Sequence, residues 1–283
     1  MRPSIVTIPD LKKKAVTGEK IVMLTAYDYS FARFVDEADI DIILVGDSLG
    51  MTILGYDSTV SVTMDEMLHH AKAVRRGVKR AFIVADMPFL SYQVSEEDAV
   101  RNAGRFLKEA GCHGVKLEGG VDMAQVIKRV VKAGIPVMGH IGLTPQTVTA
   151  LGGYKVQGKD AESAGRLVED ALAVEDAGAF AIVLECIPAG LAGLISQKLS
   201  IPTIGIGAGL DCDGQVLVVS DILGLFERFV PRFAKQYVNL APQIRQAIND
   251  YAAEVREGRF PSAEHSFQDG DIPDLAPRAE DRG

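Results

Sequence analysis

Short, nearly continuous apolar runs recur along the chain, separated by stretches in which apolar residues return every three or four positions. The runs are Ile21–Asp28, Ile42–Asp47, Phe82–Pro88, Gly114–Glu118, Pro136–Thr144, Ala181–Ile187, Pro202–Gly209 and Val216–Leu223, eight in all. They are rich in Val and Ile and too short for buried helices, so they read as strands. Within them apolar residues follow one another instead of alternating with polar ones. That pattern means burial on both faces, the habit of parallel sheets.

The intervening stretches carry helix signals. Thr63, with Glu66 three residues on, forms a capping box. Ser95 caps a helix whose first turn holds Glu96, Glu97 and Asp98 at the positive end of its dipole. That helix runs to Ala110, where Gly111 supplies a left-handed cap. The junctions Glu109–Val115, Lys132–Val137 and Glu175–Ile182 repeat one design, a helix closing on Ala-Gly just before a buried strand. Junctions this short set successive strands parallel with right-handed crossovers.

Eight strands alternating with helices predict a closed (β/α)8 TIM barrel, an α/β fold. An open doubly wound sheet is the alternative, but it needs a glycine fingerprint early in the chain. The glycine-rich run Gly205–Leu210 lacks a glycine at 210 and comes at the seventh strand. The barrel is expected to fill residues 1–261 as one catalytic domain. Leu49–Val62, after the second strand, reads as a mobile loop beside the site. An amphipathic stretch runs from about Arg232 to Arg256. Residues 262–283 hold six acids, two bases and few large apolar groups, and read as a flexible acidic tail.

Composition narrows the classes. A hydrophobic share of 47% and a charged share of 24% over 283 residues exclude a mostly disordered chain. The formal net charge of −8 argues against a nucleic-acid partner. No apolar run approaches the ~18 residues of a membrane span, so no membrane partner is expected. The first residues hold one base and no apolar core, so a secretory leader is not expected. Cys112, Cys186 and Cys212 form no CxxC spacing, which suits a reducing cytoplasm.

Barrel chemistry sits where strands deliver side chains at their carboxyl ends. Asp47 ends the second run and Ser48 follows it; Asp86 lies late in the third. Lys116 and Glu118 alternate in the fourth, so period two puts both on one face with Val115 and Leu117 opposite. His140 comes late in the fifth run and Glu185 late in the sixth. Singly, each acid suits a helix cap or a loop ion pair, and His140 equally suits a hydrogen bond to nearby backbone. Together, four carboxylates at one barrel mouth repel unless a cation or protons offset them. Oxygen ligands without a Cys/His cluster point to a hard divalent ion, most simply Mg2+, with positions left for substrate oxygens. Lys116 adds a charge suited to a substrate carboxylate or an enolate, and the Ser48 hydroxyl and amide suit a carboxylate too. His69 and His70, beside Lys72, Arg75 and Arg76, read as a solvated helix face.

The blocks Thr25-Ala-Tyr-Asp, Val45-Gly-Asp-Ser-Leu-Gly-Met, Asp86-Met-Pro-Phe, Val115-Lys-Leu-Glu-Gly, Gly139-His-Ile-Gly-Leu-Thr-Pro-Gln, Leu184-Glu-Cys-Ile-Pro and Ile204-Gly-Ile-Gly-Ala-Gly occur in this order. In them the chain resembles the ketopantoate hydroxymethyltransferase (3-methyl-2-oxobutanoate hydroxymethyltransferase) family up to about Pro261. The resemblance implies a barrel of the phosphoenolpyruvate-mutase and isocitrate-lyase type. It implies transfer of a hydroxymethyl group from 5,10-methylenetetrahydrofolate to 3-methyl-2-oxobutanoate, the first committed step toward pantothenate and coenzyme A. On the family pattern Asp47 and Asp86 ligate Mg2+ with Glu118 nearby, directly or through water. Ser48 and Lys116 hold the substrate carboxylate, Asp47, Asp86 and His140 also belong to the expected substrate site, and Glu185 is the base. The resemblance also implies a homodecamer of two pentameric rings. The nearest rival is a carbon–carbon lyase with a reactive cysteine; Cys186, as a strand neighbour of Glu185, is expected to point away from the site. A non-catalytic barrel is a second rival, and it should lack a strand-end acid; none is missing. A metal-binding sensor that signals through the tail is a third.

Overall fold

In the computed structural model, which describes residues 5–267, eight strands pair in chain order and close on themselves. They are β1 (Ile21–Thr25), β2 (Ile42–Val45), β3 (Phe82–Asp86), β4 (Gly114–Glu118), β5 (Val137–Gly142), β6 (Ala181–Glu185), β7 (Thr203–Ile206) and β8 (Gly214–Leu217). Every neighbouring pair is parallel, and β8 returns to β1 with Ile21 beside Gly214. This is the (β/α)8 barrel the pattern predicts. The eighth run is displaced from its reading: β8 starts two residues earlier, and Val219–Ile222 is a short helix. Gly214 and Gln215 had no apolar signal to mark them as strand.

Two apolar layers follow from the period of two. Ile21 and Met23 of β1, Ile42 and Leu44 of β2, Phe82 and Val84 of β3, Met138 of β5 and Ala181 and Val183 of β6 belong to one core cluster. The intervening Ile43, Val45, Ile83, Ala85, Val115, Leu117, Val137, Ile182 and Leu184 join buried helix residues such as Val74, Phe106 and Val174 in another. The first set fills the lumen and the second cements strands to helices, which is why the runs are apolar at every position.

The helix signals behave as local chemistry requires. Thr63 Oγ accepts from the Glu66 amide at 3.2 Å while Glu66 Oε2 accepts from the Thr63 amide at 2.7 Å, closing the capping box. Ser95 Oγ accepts from Asp98 at 3.1 Å. At the three Ala-Gly junctions, Gly111, Gly134 and Gly178 have φ of 69°, 86° and 94°. Only glycine adopts that left-handed turn without strain, so the sequence stops each helix and points the chain back into the barrel. Leu49–Val62 holds a short helix, Leu49–Thr52, and a 3-10 turn, Thr59–Ser61, with Leu49 and Val62 in the core.

At the amino end of the barrel, the helix Ile8–Thr17 is tied down by Asp41. That buried carboxylate lies 2.9 Å from Lys14 Nζ and accepts from the Val22 amide at 3.0 Å.

The chain divides into two compact units, Met1–Tyr237 and Val238–Gly283. The second contains the helix Ala241–Arg256 and a 3-10 turn, Ala263–His265. The amphipathic reading began that helix nine residues early; Pro242 sits in its first turn, where a missing amide hydrogen is tolerated. Of the expected tail, residues 268–283 lie outside the described residues.

Candidate active site

The lumen columns end in polar groups. Counting up β3 in twos gives Phe82, Val84, Asp86; up β5, Met138 and His140; up β6, Ala181, Val183, Glu185. Lys116 and Glu118 share a face of β4, as expected. Register sets Asp86 beside Lys116 and Glu118 beside His140. Asp47 arrives differently: β2 ends at Val45, and the turn at Gly46 brings the Asp47 amide to donate to Asp86 Oδ2 at 3.0 Å.

Lys116 Nζ lies 2.9 Å from Asp86 Oδ1 and 3.0 Å from His140 Nδ1. An ammonium can only donate, so His140 Nδ1 accepts and its hydrogen sits on Nε2. That Nε2 faces Glu185 Oε2 at 3.1 Å, close but out of line for a hydrogen bond. Asp86 Oδ1 likewise is buried without an aligned donor, its ion pair with Lys116 notwithstanding. Ser48 Oγ lies 2.9 Å from the Tyr27 hydroxyl. The structure therefore gathers Asp86, Lys116, Glu118, His140 and Glu185 into one chain of contacts, with Asp47 joined through Asp86.

Residues 5–263 match the sequence profile described as ketopantoate hydroxymethyltransferase. The chain belongs to the ketopantoate hydroxymethyltransferase family. It is 63% identical over 262 residues to the 3-methyl-2-oxobutanoate hydroxymethyltransferase of Heliobacterium modesticaldum, covering 93% of this chain and 95% of that protein. The protein of the same name from Carboxydothermus hydrogenoformans is 61% identical with the same coverage. Among solved structures, the fold is shared with 2,3-dimethylmalate lyase, a member of the PEP mutase/isocitrate lyase superfamily. That likeness has a TM-score of 0.56 at 16% identity, over 97% of this chain and 92% of the other.

In this ketopantoate hydroxymethyltransferase family member, burial dominates the electrostatics. It pushes the Glu185 carboxyl up to about 8, with Lys116 opposing and Asp86 adding to the rise. It pushes Asp47 up to about 7, the neighbouring charge of Asp86 adding and Lys116 and Gln146 opposing. Burial also raises Glu118 well above the carboxylate range. For Lys116 burial works against the charge, but Asp86, Glu118 and Asp47 more than offset it, holding the ammonium above its ordinary value. His140 is driven well below its ordinary value by burial and then by Lys116, so it is neutral.

Among the described residues, no group of three or more His, Cys, Asp or Glu side chains forms a metal cage. The donor set nevertheless fits a hard divalent ion held by one or two carboxylates and completed by water and substrate oxygens. Asp86 Oδ1, paired with Lys116 Nζ but without an aligned hydrogen-bond donor, is the oxygen such an ion would satisfy.

Cys186 departs from its reading. It follows β6 instead of lying in it, and its φ of 49° breaks the strand alternation used to aim it away. Burial, then Glu185, pushes its thiol up to about 12, which disfavours the thiolate a cysteine lyase uses. Two residues escaped the sequence reading. Gln146 and Tyr92 are buried in loops after β5 and β3 and bond to Asp47 and Glu118. Loops carry no period, and the only trace was Gln146 closing the block Gly139–Gln146. Among the described residues, no helix is long and apolar enough to cross a membrane.

Proposed function

We propose that the chain transfers a hydroxymethyl group from 5,10-methylenetetrahydrofolate to 3-methyl-2-oxobutanoate, giving 2-dehydropantoate and tetrahydrofolate. One water is consumed overall, and the product leads to pantothenate and coenzyme A. The observation that carries this reading is the convergence of Asp47, Asp86, Glu118 and Glu185 with Lys116 and His140 at the barrel mouth of a family member.

Asp47 and Asp86 would hold Mg2+, with Glu118 nearby. When bound, that ion supplies Lewis-acid stabilisation of negative charge developing on the oxo acid. Lys116 Nζ bonds to His140 and ion-pairs with Asp86, and its remaining N–H would hold the substrate carboxylate. The Ser48 hydroxyl, steadied by Tyr27, is the second donor. Glu185 takes the proton from C3 of the oxo acid. Its side chain is 13% exposed against 3% for Glu118, so it is the acid open to a substrate. A raised pKa makes its ionised form a stronger base, and the neutral His140 lies beside it, Nε2 3.1 Å from Oε2. The C3 carbon then bonds to the one-carbon unit, which leaves the folate nitrogens, and water supplies the hydroxyl oxygen.

In deuterium oxide, Glu185→Gln is expected to lose exchange at C3 of the oxo acid while still binding it; retained exchange would reassign the base. Wild-type protein given 2-dehydropantoate and tetrahydrofolate should release the one-carbon unit, and failure to do so sinks the transferase reading.

A homodecamer and a cytoplasmic location belong to the same reading. The helix Ala241–Arg256 exposes Ile244, Ile248, Tyr251 and Val255 at helical spacing, an apolar stripe that suits assembly. Light scattering should give the mass of ten chains.

A further inference from the structure

Gln146 lies in the 3-10 turn Pro145–Thr147 after β5 and is buried. Its Nε2 donates to Asp47 Oδ2 and to the Met87 carbonyl, both at 2.9 Å. Its Oε1 accepts from the Tyr92 hydroxyl at 2.8 Å and from Gln93 Nε2 at 3.3 Å. Its backbone amide donates to Glu118 Oε2 at 3.0 Å. Every side-chain hydrogen and lone pair is therefore assigned, and the amide has one orientation: reversed, its oxygen would face the Met87 carbonyl. Tyr92 completes the set. Its hydroxyl donates to Gln146 Oε1 at 2.8 Å, with the Glu118 carbonyl a more distant acceptor at 3.3 Å, and its oxygen accepts from the Glu118 amide at 3.1 Å.

One loop residue thus joins the ends of β2 and β3 through its side chain and that of β4 through its backbone amide. Asp47 has one oxygen engaged by a neutral donor and the other left open, and Glu118 has one oxygen fixed likewise. A carboxylate held this way is aimed before any ligand arrives.

We infer that Gln146, locked by Tyr92, is a positioning residue that sets Asp47 and Glu118 for the divalent ion. The inference rests on the metal assignment proposed above. Gln146→Met keeps length and volume but donates nothing; Tyr92→Phe keeps the ring and frees the Gln146 amide. Calorimetric titration of the purified protein with Mn2+ reads ion affinity without turnover. Both variants are expected to fold, by melting temperature and circular dichroism, and to bind Mn2+ at least about tenfold more weakly, the usual scale for groups that orient metal ligands. Unchanged Mn2+ affinity in a folded Tyr92→Phe protein overturns the positioning role, and that variant decides alone if Gln146→Met does not fold. Wild-type protein that takes up no Mn2+ overturns the metal assignment itself and the inference with it.

Discussion

Glu185 has an ordinary carboxyl value of 4.5 and is pushed up to about 8 in the fold. The folded state therefore holds its proton more tightly than the unfolded chain does. Stability from this group is fully present below about pH 4.5 and is lost as pH rises through 8. In the presence of a chelator, Glu185→Gln should melt higher than wild type at pH 9 and close to it at pH 4; equal melting at pH 9 would contradict the burial argument. Catalysis runs the other way. If Glu185 must be ionised, kcat/KM rises with pH and levels at or below about 8, because the proposed cation would join Lys116 in favouring the charged form. Much of this residue-level picture was legible beforehand, because alternation places Asp86, Lys116, Glu118, His140 and Glu185 on the lumen side of their strands. Asp47 follows a turn, where alternation no longer applies. Gln146 and Tyr92 come from loops, and their importance lies in hydrogen bonds that no sequence period encodes.

Gly142, the last residue of β5, ties the element scale to the site. Its φ is 95°, and an added Cβ would lie 2.2 Å from the Glu185 carbonyl oxygen. Gly142→Ala must strain its own backbone and push the end of β6, the strand that carries Glu185. A loss of about 1–3 kcal/mol in urea unfolding, with turnover falling further than the folded fraction explains, is expected. Gly18→Ala is the control: φ is 75° but nothing lies within 4 Å, so stability alone should drop. Strands and helix ends were readable because caps, Ala-Gly stops and apolar runs are local signals. β8 was misplaced because Gly214 and Gln215 are strand through pairing with Ile21 and Val22, a partner effect and not a local one.

At the scale of the molecule the barrel separates its tasks, with chemistry at the carboxyl ends of the strands and fastening at the other end. Asp41 at the fastening end is buried against Lys14 and the Val22 amide. Asp41→Ala should cost about 2 kcal/mol of stability, the scale of hydrogen bonds to a charged group, and leave kcat unchanged in the folded protein. A changed kcat would mean that the two ends are coupled. The Gln146–Asp47 hydrogen bond spans 99 positions of chain and ties the loop after β5 to the end of β2. If the proposed divalent ion binds beside Asp47, it acts on a chain in which this contact has already formed. Stopped-flow dilution into and out of urea should find refolding rates indifferent to Mg2+ and unfolding slowed by it. On the proposed metal assignment the ion would be a latch on the completed fold, not a template for making it.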